Sequence, residues 1–263
     1  MTTQATFVLS QEEVYAALSY VRARGLLGID PASLANVDAE ERQALLAAAG
    51  RALQARGMLN RDEEKQLVLE ETVRTTLDAA ARAPRSLSAI SRKAGQEALQ
   101  SYIVHHNDGL WIKHTQPESG LHQFTLARES LPLQEDLTAM FAIANQARPQ
   151  ATTFTLDQAE LEQIQSAVQA EPDHVAERVV AAGADEATGQ LFAELLIGER
   201  DSAIVQTIDR TNPGAEEETR TVTLLHNHQG FWMMRTLNPT QLQCQPASAE
   251  EVRQMLKELI DLL

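Results

Sequence analysis

The chain has a single cysteine, Cys244, among 263 residues. That excludes an intramolecular disulfide framework and any cysteine-rich zinc site. Positive charge is also scarce: 22 Lys and Arg stand against 37 Asp and Glu, for a net charge of −15 and a pI near 4.9. Nucleic acid and anionic membranes select basic surfaces, so this balance argues against both as generic partners. No run approaches the roughly 18–20 apolar residues of a membrane span, and the opening MTTQATFVLSQEEV lacks a basic segment followed by an apolar one. A soluble, cytoplasmic protein is the expectation. Nucleophile elbows of the G-x-S-x-G kind, Gly-rich phosphate loops and HExxH are absent. The sequence therefore predicts no catalytic residue, no cofactor and no bound metal. The length suits one or two domains with a substantial core.

What the chain does have is a motif that occurs twice. Residues 103–115 read IVHHNDGLWIKHT and residues 224–236 read LLHNHQGFWMMRT. At a constant offset His105 aligns with His226, Gly109 with Gly230, Trp111 with Trp232 and Thr115 with Thr236. Each stretch reads as two strands joined by a tight turn, with Asn107-Asp108-Gly109 a turn tripeptide whose glycine accepts positive φ. A three-residue loop sets His105 opposite Trp111 and puts Tyr102, Val104, Leu110 and Ile112 on one face. A two-residue Asp-Gly loop changes those pairs, and both remain open.

A second match lies far from the hairpins. TFVLSQEEV at 6–14 and TFTLDQAEL at 153–161 share Thr, Phe, Leu, Gln and Glu in register, with Ser10 and Asp157 as equivalent helix caps. Between opening and hairpin, the first copy carries longer helices, expected over 38–56 and 62–82. The second carries shorter ones, expected over about 173–182 and 185–197. Strands follow in each copy, expected at 86–91, 98–106, 110–115 and 121–127, then at 203–208, 219–228, 231–237 and 241–245. Pro84, Gly95, Pro117 and Gly120 separate the first set, and Pro213, Gly214 and Pro239 the second. Closing helices follow Pro132 and the capping box at Ser248. The predicted fold is α+β and internally duplicated. Each copy consists of helices, a four-stranded antiparallel meander and a closing helix, and the two join edge to edge with pseudo-twofold symmetry. The repeats are assigned to 1–146 and 147–263 of one body.

Six of the seven histidines, at 105, 106, 114, 122, 226 and 228, fall in the meanders. His226 and His228 are spaced to share one strand face, but a third ligand is missing nearby. The His105–Trp111 and His226–Trp232 pairs have the spacing of cross-strand stacks. Residues 82–93 hold Arg82, Arg85, Arg92 and Lys93 with few acids, and the helices before them suggest a winged helix.

The chain resembles the EspG family, cytosolic chaperones of type VII secretion. The resemblance rests on the opening TFVLSQEEV, the helix end Leu53-Gln54-Ala55-Arg56-Gly57-Met58-Leu59 and the alanine-rich helix running into Ala83-Pro84. It rests also on the Gly-Phe-Trp turn and the closing QLQCQPASAEEVRQMLKELI. It implies a pseudo-twofold α+β body with a central antiparallel sheet and helical bundles, no catalytic residues, and a helical protein partner. The leading functional expectation is a non-enzymatic protein-binding module, a chaperone or adaptor. The alternatives are a DNA-binding protein using the N-terminal helices and a small-ligand sensor or enzyme with a site between the lobes. Loops on a rigid sheet commonly carry function. The candidate binding residues are therefore at the hairpin tips: Asn107, Asp108, Leu110 and Trp111 in one, His228, Phe231 and Trp232 in the other.

Overall fold

The computed structural model describes residues 4–30, 34, 36–129, 131–212 and 217–263. Pro213 and Gly214, two of the expected strand breakers, lie outside them. The chain opens with β1 (Ala5–Ser10), α1 (Gln11–Tyr20), α2 (Ala39–Ala55), a hairpin of β2 (Leu59–Arg61) and β3 (Leu67–Leu69), and α3 (Glu71–Ala81). The first meander is β4 (Arg85–Arg92), β5 (Leu99–Asn107), β6 (Leu110–Glu118) and β7 (Leu121–Ala127), closed by α4 (Leu133–Met140). The second half begins with β8 (Phe154–Asp157), α5 (Gln158–Ala170), α6 (Val175–Ala181) and α7 (Glu186–Ile197). Then come β9 (Asp201–Asp209), β10 (Glu218–Asn227), β11 (Gly230–Asn238), β12 (Gln241–Ala247) and α8 (Ala249–Ile260).

One expected helix is shorter than its apolar spacing suggests. Residues 62–82 hold a turn, β3 and then α3, because Lys65 turns the chain at φ 63° and Glu70 caps α3 by accepting from the Thr72 and Val73 amides. Leu69 keeps its place in the core, but from a strand. The capping boxes at Ser10, Asp157 and Ser248 all form, each with its glutamate reaching back to the cap amide.

Ten strands make one antiparallel sheet in the order β1-β7-β6-β5-β4-β9-β10-β11-β12-β8. The meanders do join edge to edge, through β4 and β9 from Arg85↔Asp209 to Arg92↔Ser202. The opening strands extend each meander at its outer edge, β1 on β7 and β8 on β12. Exposed edges invite strand addition. At β1 the Arg56 guanidinium covers the edge by donating to the Val8 carbonyl at 2.6 Å while pairing with Glu13 at 2.8 Å.

Side-chain alternation gives the sheet two differently clothed faces. On one, Leu87, Val104, Val205, Leu224 and Phe231 pack under α4 and α8 in a core drawn from both halves. On the other face there are two separate cores. Phe7, Leu9, Ile112 and Phe124 pack under α1, α2 and α3, while Leu156, Leu225, Trp232 and Cys244 pack with α6 and α7. The closing segments also cross between halves. His106 Nδ1 lies 2.6 Å from the Leu263 main-chain oxygen, and His226 Nε2 lies 2.7 Å from Gln146 Oε1.

A candidate protein-binding surface

The hairpins resolve the open choice of loop. Asp108 and Gly109 form a two-residue loop, at φ 49° and 74°, so Asn107 pairs Leu110, His106 pairs Trp111 and His105 pairs Ile112. These are the backbone signs of a type I′ turn, whose twist matches that of the strands it joins. The second hairpin also has a two-residue loop, His228 and Gln229, with Asn227 paired to Gly230 and His226 to Phe231. The expected His105–Trp111 and His226–Trp232 stacks therefore do not form. The rings that stack are His106 on Trp111 at 4.2 Å and His226 on Phe231 at 4.1 Å.

The two aligned glycines do different work. Gly109 sits in its turn with open space around it, whereas Gly230 begins β11, where a Cβ would approach Pro149 Cγ to 2.9 Å. The strand registers match at a shift of 120 residues: Trp111↔Ala127 corresponds to Phe231↔Ala247, and Glu118↔Leu121 to Asn238↔Gln241. His226 thus occupies the place of His106, and Leu225 that of His105. His228 lies in the turn, so it does not share a strand face with His226 as the metal-pair spacing suggested.

The tip residues divide by burial. Asp108 and His228 are exposed; Asn107, Leu110 and Trp111 are half-buried. Asn107 donates to the Ala79 carbonyl at 3.1 Å, holding the first tip on α3. Phe231 and Trp232 are each only 1% exposed, Phe231 under α8 and Trp232 against Phe154 and Phe192. The candidate binding residues Phe231 and Trp232 therefore stand in the core and not at the surface of the tip. The sheet also sets the tips apart. The first lies at the Arg85–Asp209 end of the central strand pair and the second at the Arg92–Ser202 end.

Beneath the first lobe runs a buried polar row. His105 Nδ1 and Ser86 Oγ are 3.0 Å apart, and His114 Nε2 and His122 Nδ1 are 2.9 Å apart. The His105 and His114 rings stack at 6.4 Å, and His114 lies on Phe124 at 4.5 Å. The segment after α1 covers the row so closely that a Cβ at Gly28 would strike Ile103. Burial lowers the affinity of all three imidazoles for a proton, taking His105 to about 3 with the Arg210 charge adding to the effect. The Ser86–His105 contact is wholly enclosed, both residues being buried.

A different surface stands open. Helix α3 packs on β5 and α7 on β10, and among the described residues the part of β4 and β9 from Ser88↔Gln206 towards Arg92↔Ser202 is left open on that face, while Ser86 and Ile208 further along it are buried. There Ile90 and Ile204 are paired neighbours across the strands, 41% and 50% exposed, and Leu99 beyond them is 64% exposed. Half-buried Ser88 and Gln206 complete the floor. Sequence reasoning missed this site. The signal was the even positions of β4 and β9, where serine, isoleucine, arginine and glutamine share one side of a central strand pair.

A family model described as uncharacterised protein YfjC matches residues 27–256. The chain belongs to that family. No curated protein matches its sequence. Among solved structures this YfjC-family chain is similar to the Mycobacterium tuberculosis type VII secretion system chaperone EspG5, seen in complex with a PE25–PPE41 dimer. The TM-score is 0.67 at 10% identity, over 98% of this chain and 97% of the other, so the likeness is one of fold. An N-terminal dehydratase from the difficidin assembly line, at 8% identity over 98% of each chain, reaches a TM-score of only 0.13 and carries no argument. Among the described residues no helix is long and apolar enough to cross a membrane.

Proposed function

We propose that this chain is a non-enzymatic protein-binding module, a chaperone or adaptor for a helical partner, and that the partner lies across the saddle floored by β4 and β9. The observation that carries the reading is the pair Ile90 and Ile204. They are large aliphatic side chains left open on the central strand pair of the sheet, between the helices of the two lobes. Contiguous exposed apolar surface at such a position is a common mark of an interaction site, and an amphipathic helix lying in a groove between helices is a common way to fill one. The EspG5-like fold supports the same class of activity.

We also read the strand order, which is the same from either edge, as an internal duplication with repeats at 1–146 and 147–263. On that reading the twofold axis passes between Ala89 and Val205, which are paired in the central register. It sets two unequal helical lobes on either side of the saddle, suited to an asymmetric partner. The hairpin tips enter only through their outer residues, Asn107, Asp108, Leu110 and His228, as flanking contacts at the two ends.

A photo-crosslinking amino acid placed in turn at Ile204, Ile90, Asp108 and His228 tests this in native lysate. Crosslinks to one protein, strongest from 204 and 90, are the expected result. Crosslinks only from 108 or 228, or none from any position, refute the saddle as the binding surface.

A further inference from the structure

The basic segment 82–93 is where the saddle acquires a sign. Three of its four cations have an acid to hand: Arg82 pairs with Asp78, Arg85 with Asp209 at 3.3 Å and Lys93 with Asp201 at 3.0 Å. Arg92 has no hydrogen bond or ion pair among the described residues and is exposed. It sits opposite Ser202 on β9 and Leu99 on β5, on the same side of the sheet as Ile90 and Ile204.

A second guanidinium adjoins it. Arg200 precedes β9 and turns back to cap the end of α7, donating to the main-chain oxygens of Leu195, Leu196 and Gly198. It is half-buried, and the Arg92 charge acts on it unfavourably. Helix carbonyls offset part of the Arg200 charge. Neither arginine has a carboxylate partner among the described residues. On a chain of net charge −15 the apolar centre of the saddle therefore ends in two neighbouring guanidinium groups with no ion-pair partner among the described residues.

We infer that the partner of this saddle is a protein helix that places aliphatic side chains on Ile90 and Ile204 and a carboxylate on Arg92, with Arg200 behind it. The inference rests on the saddle as binding surface and adds the chemistry of the occupant. The fit is one of complementary charge. An Asp or Glu about one turn from the aliphatic contact relieves the like-charge pair, and a planar guanidinium donates from two nitrogens to the two oxygens of a carboxylate. The acidity of the rest of the chain opposes an acidic partner landing elsewhere, so the patch fixes register and direction as well as affinity.

The test takes the protein segment crosslinked from position 204, prepares it as a peptide, and measures its affinity for the full chain by fluorescence anisotropy. We expect the segment to contain Asp or Glu within one turn of its aliphatic contacts. Arg92→Glu, on an exposed side chain with no partner to lose, is expected to weaken binding at least tenfold. Replacing that acid by Lys in the peptide is expected to recover binding to the Arg92→Glu chain. Raising salt from about 0.05 M to 0.5 M is expected to weaken wild-type binding and to leave Arg92→Glu nearly unaffected. A crosslinked segment without an acid, or one bound equally by wild type and Arg92→Glu, overturns the carboxylate inference while leaving the saddle standing. A second copy of this chain, a nucleic acid, or nothing at position 204 overturns both.

Discussion

Lowering the pH from 7 to 5 is expected to destabilise this fold through the histidine row, and His105 allows the effect to be sized. Its imidazole is 1% exposed, contacts Ser86 through Nδ1, and has no partner for Nε2. The groups around it give a proton no anchor. Ser86 is neutral, His114 is itself an imidazole, and Arg210 is a cation. Only His122, further along, feels a carboxylate, that of Glu12. The folded-state value of about 3 lies below the ordinary 6.5. Between those values the unfolded chain binds the proton and the folded chain does not, so stability is fully present above about pH 6.5 and falls as the pH drops towards 3. At about 1.4 kcal/mol per pH unit, His105 alone removes about 2 kcal/mol between pH 7 and pH 5. His114 and His122 act in the same direction.

The perturbation is His105→Asn, which retains a polar atom for Ser86 and cannot be protonated. Urea titrations at pH 7, 6 and 5, followed by the fluorescence of Trp111 and Trp232, give stability against pH for both chains. The variant is expected to be the less stable at pH 7, because it leaves unfilled space in a packed site. Its loss between pH 7 and pH 5 is expected to be smaller than the wild type's by about 2 kcal/mol. Parallel curves for the two chains refute the reasoning, since they mean that His105 takes up its proton without leaving the fold.

Two glycines carry the next predictions. Gly28→Ala is expected to lower stability by more than about 2 kcal/mol, because its φ of 84° is strained for alanine and the methyl group would strike Ile103 over the histidine row. Gly109→Ala, at a φ of 74° but in open space, is expected to cost only about 1 kcal/mol, and equal losses in urea titration refute the distinction. Phe231→Ala is expected to cost about 3–5 kcal/mol of stability, since the ring is core under α8; melting unchanged from wild type refutes that placement. Residues 1–146 and 147–263 expressed separately are each expected to show non-cooperative melting, because the core under α4 and α8 draws on both. A sharp melt from either piece refutes that dependence.

The elements were largely legible in the sequence because their signals are local. Capping residues announced α1, α5 and α8, and runs punctuated by proline and glycine announced eight of the sheet's ten strands within a few residues. The same logic failed at 62–82, where Leu69, Val73 and Leu77 keep helical spacing across a turn that Lys65 and Glu70 decide. The site was harder to read for two physical reasons. First, the hairpin motif aligns most visibly on Gly109 and Gly230, but one glycine is a turn residue and the other makes room for Pro149. Aligning on them displaces the second hairpin by one position, and in a strand one position exchanges the faces. That displacement made His226 the counterpart of His105, when it is the counterpart of the His106 that stacks on Trp111. It also made Phe231 look like a surface anchor when its side points into the shared core.

The second reason is that exposure in a sheet depends on what covers each strand, and helix placement is not written in a strand's own residues. Serine, isoleucine and arginine alternate with leucine and alanine on β4, which shows two kinds of face but not which one the helices leave bare. With α3 on β5 and α7 on β10, Ile90, Arg92 and Ile204 remain uncovered in the middle of the sheet. Among the described residues, helical segments of unequal length before each meander occupy the flanks and leave part of the join of the two meanders free. A ten-stranded sheet could have closed that gap with one further helix. The chain instead spends its closing helices, α4 and α8, on the opposite face, where they tie the halves through His106 and His226. The join is thereby braced from behind, while Ile90, Arg92 and Ile204 stay open in front.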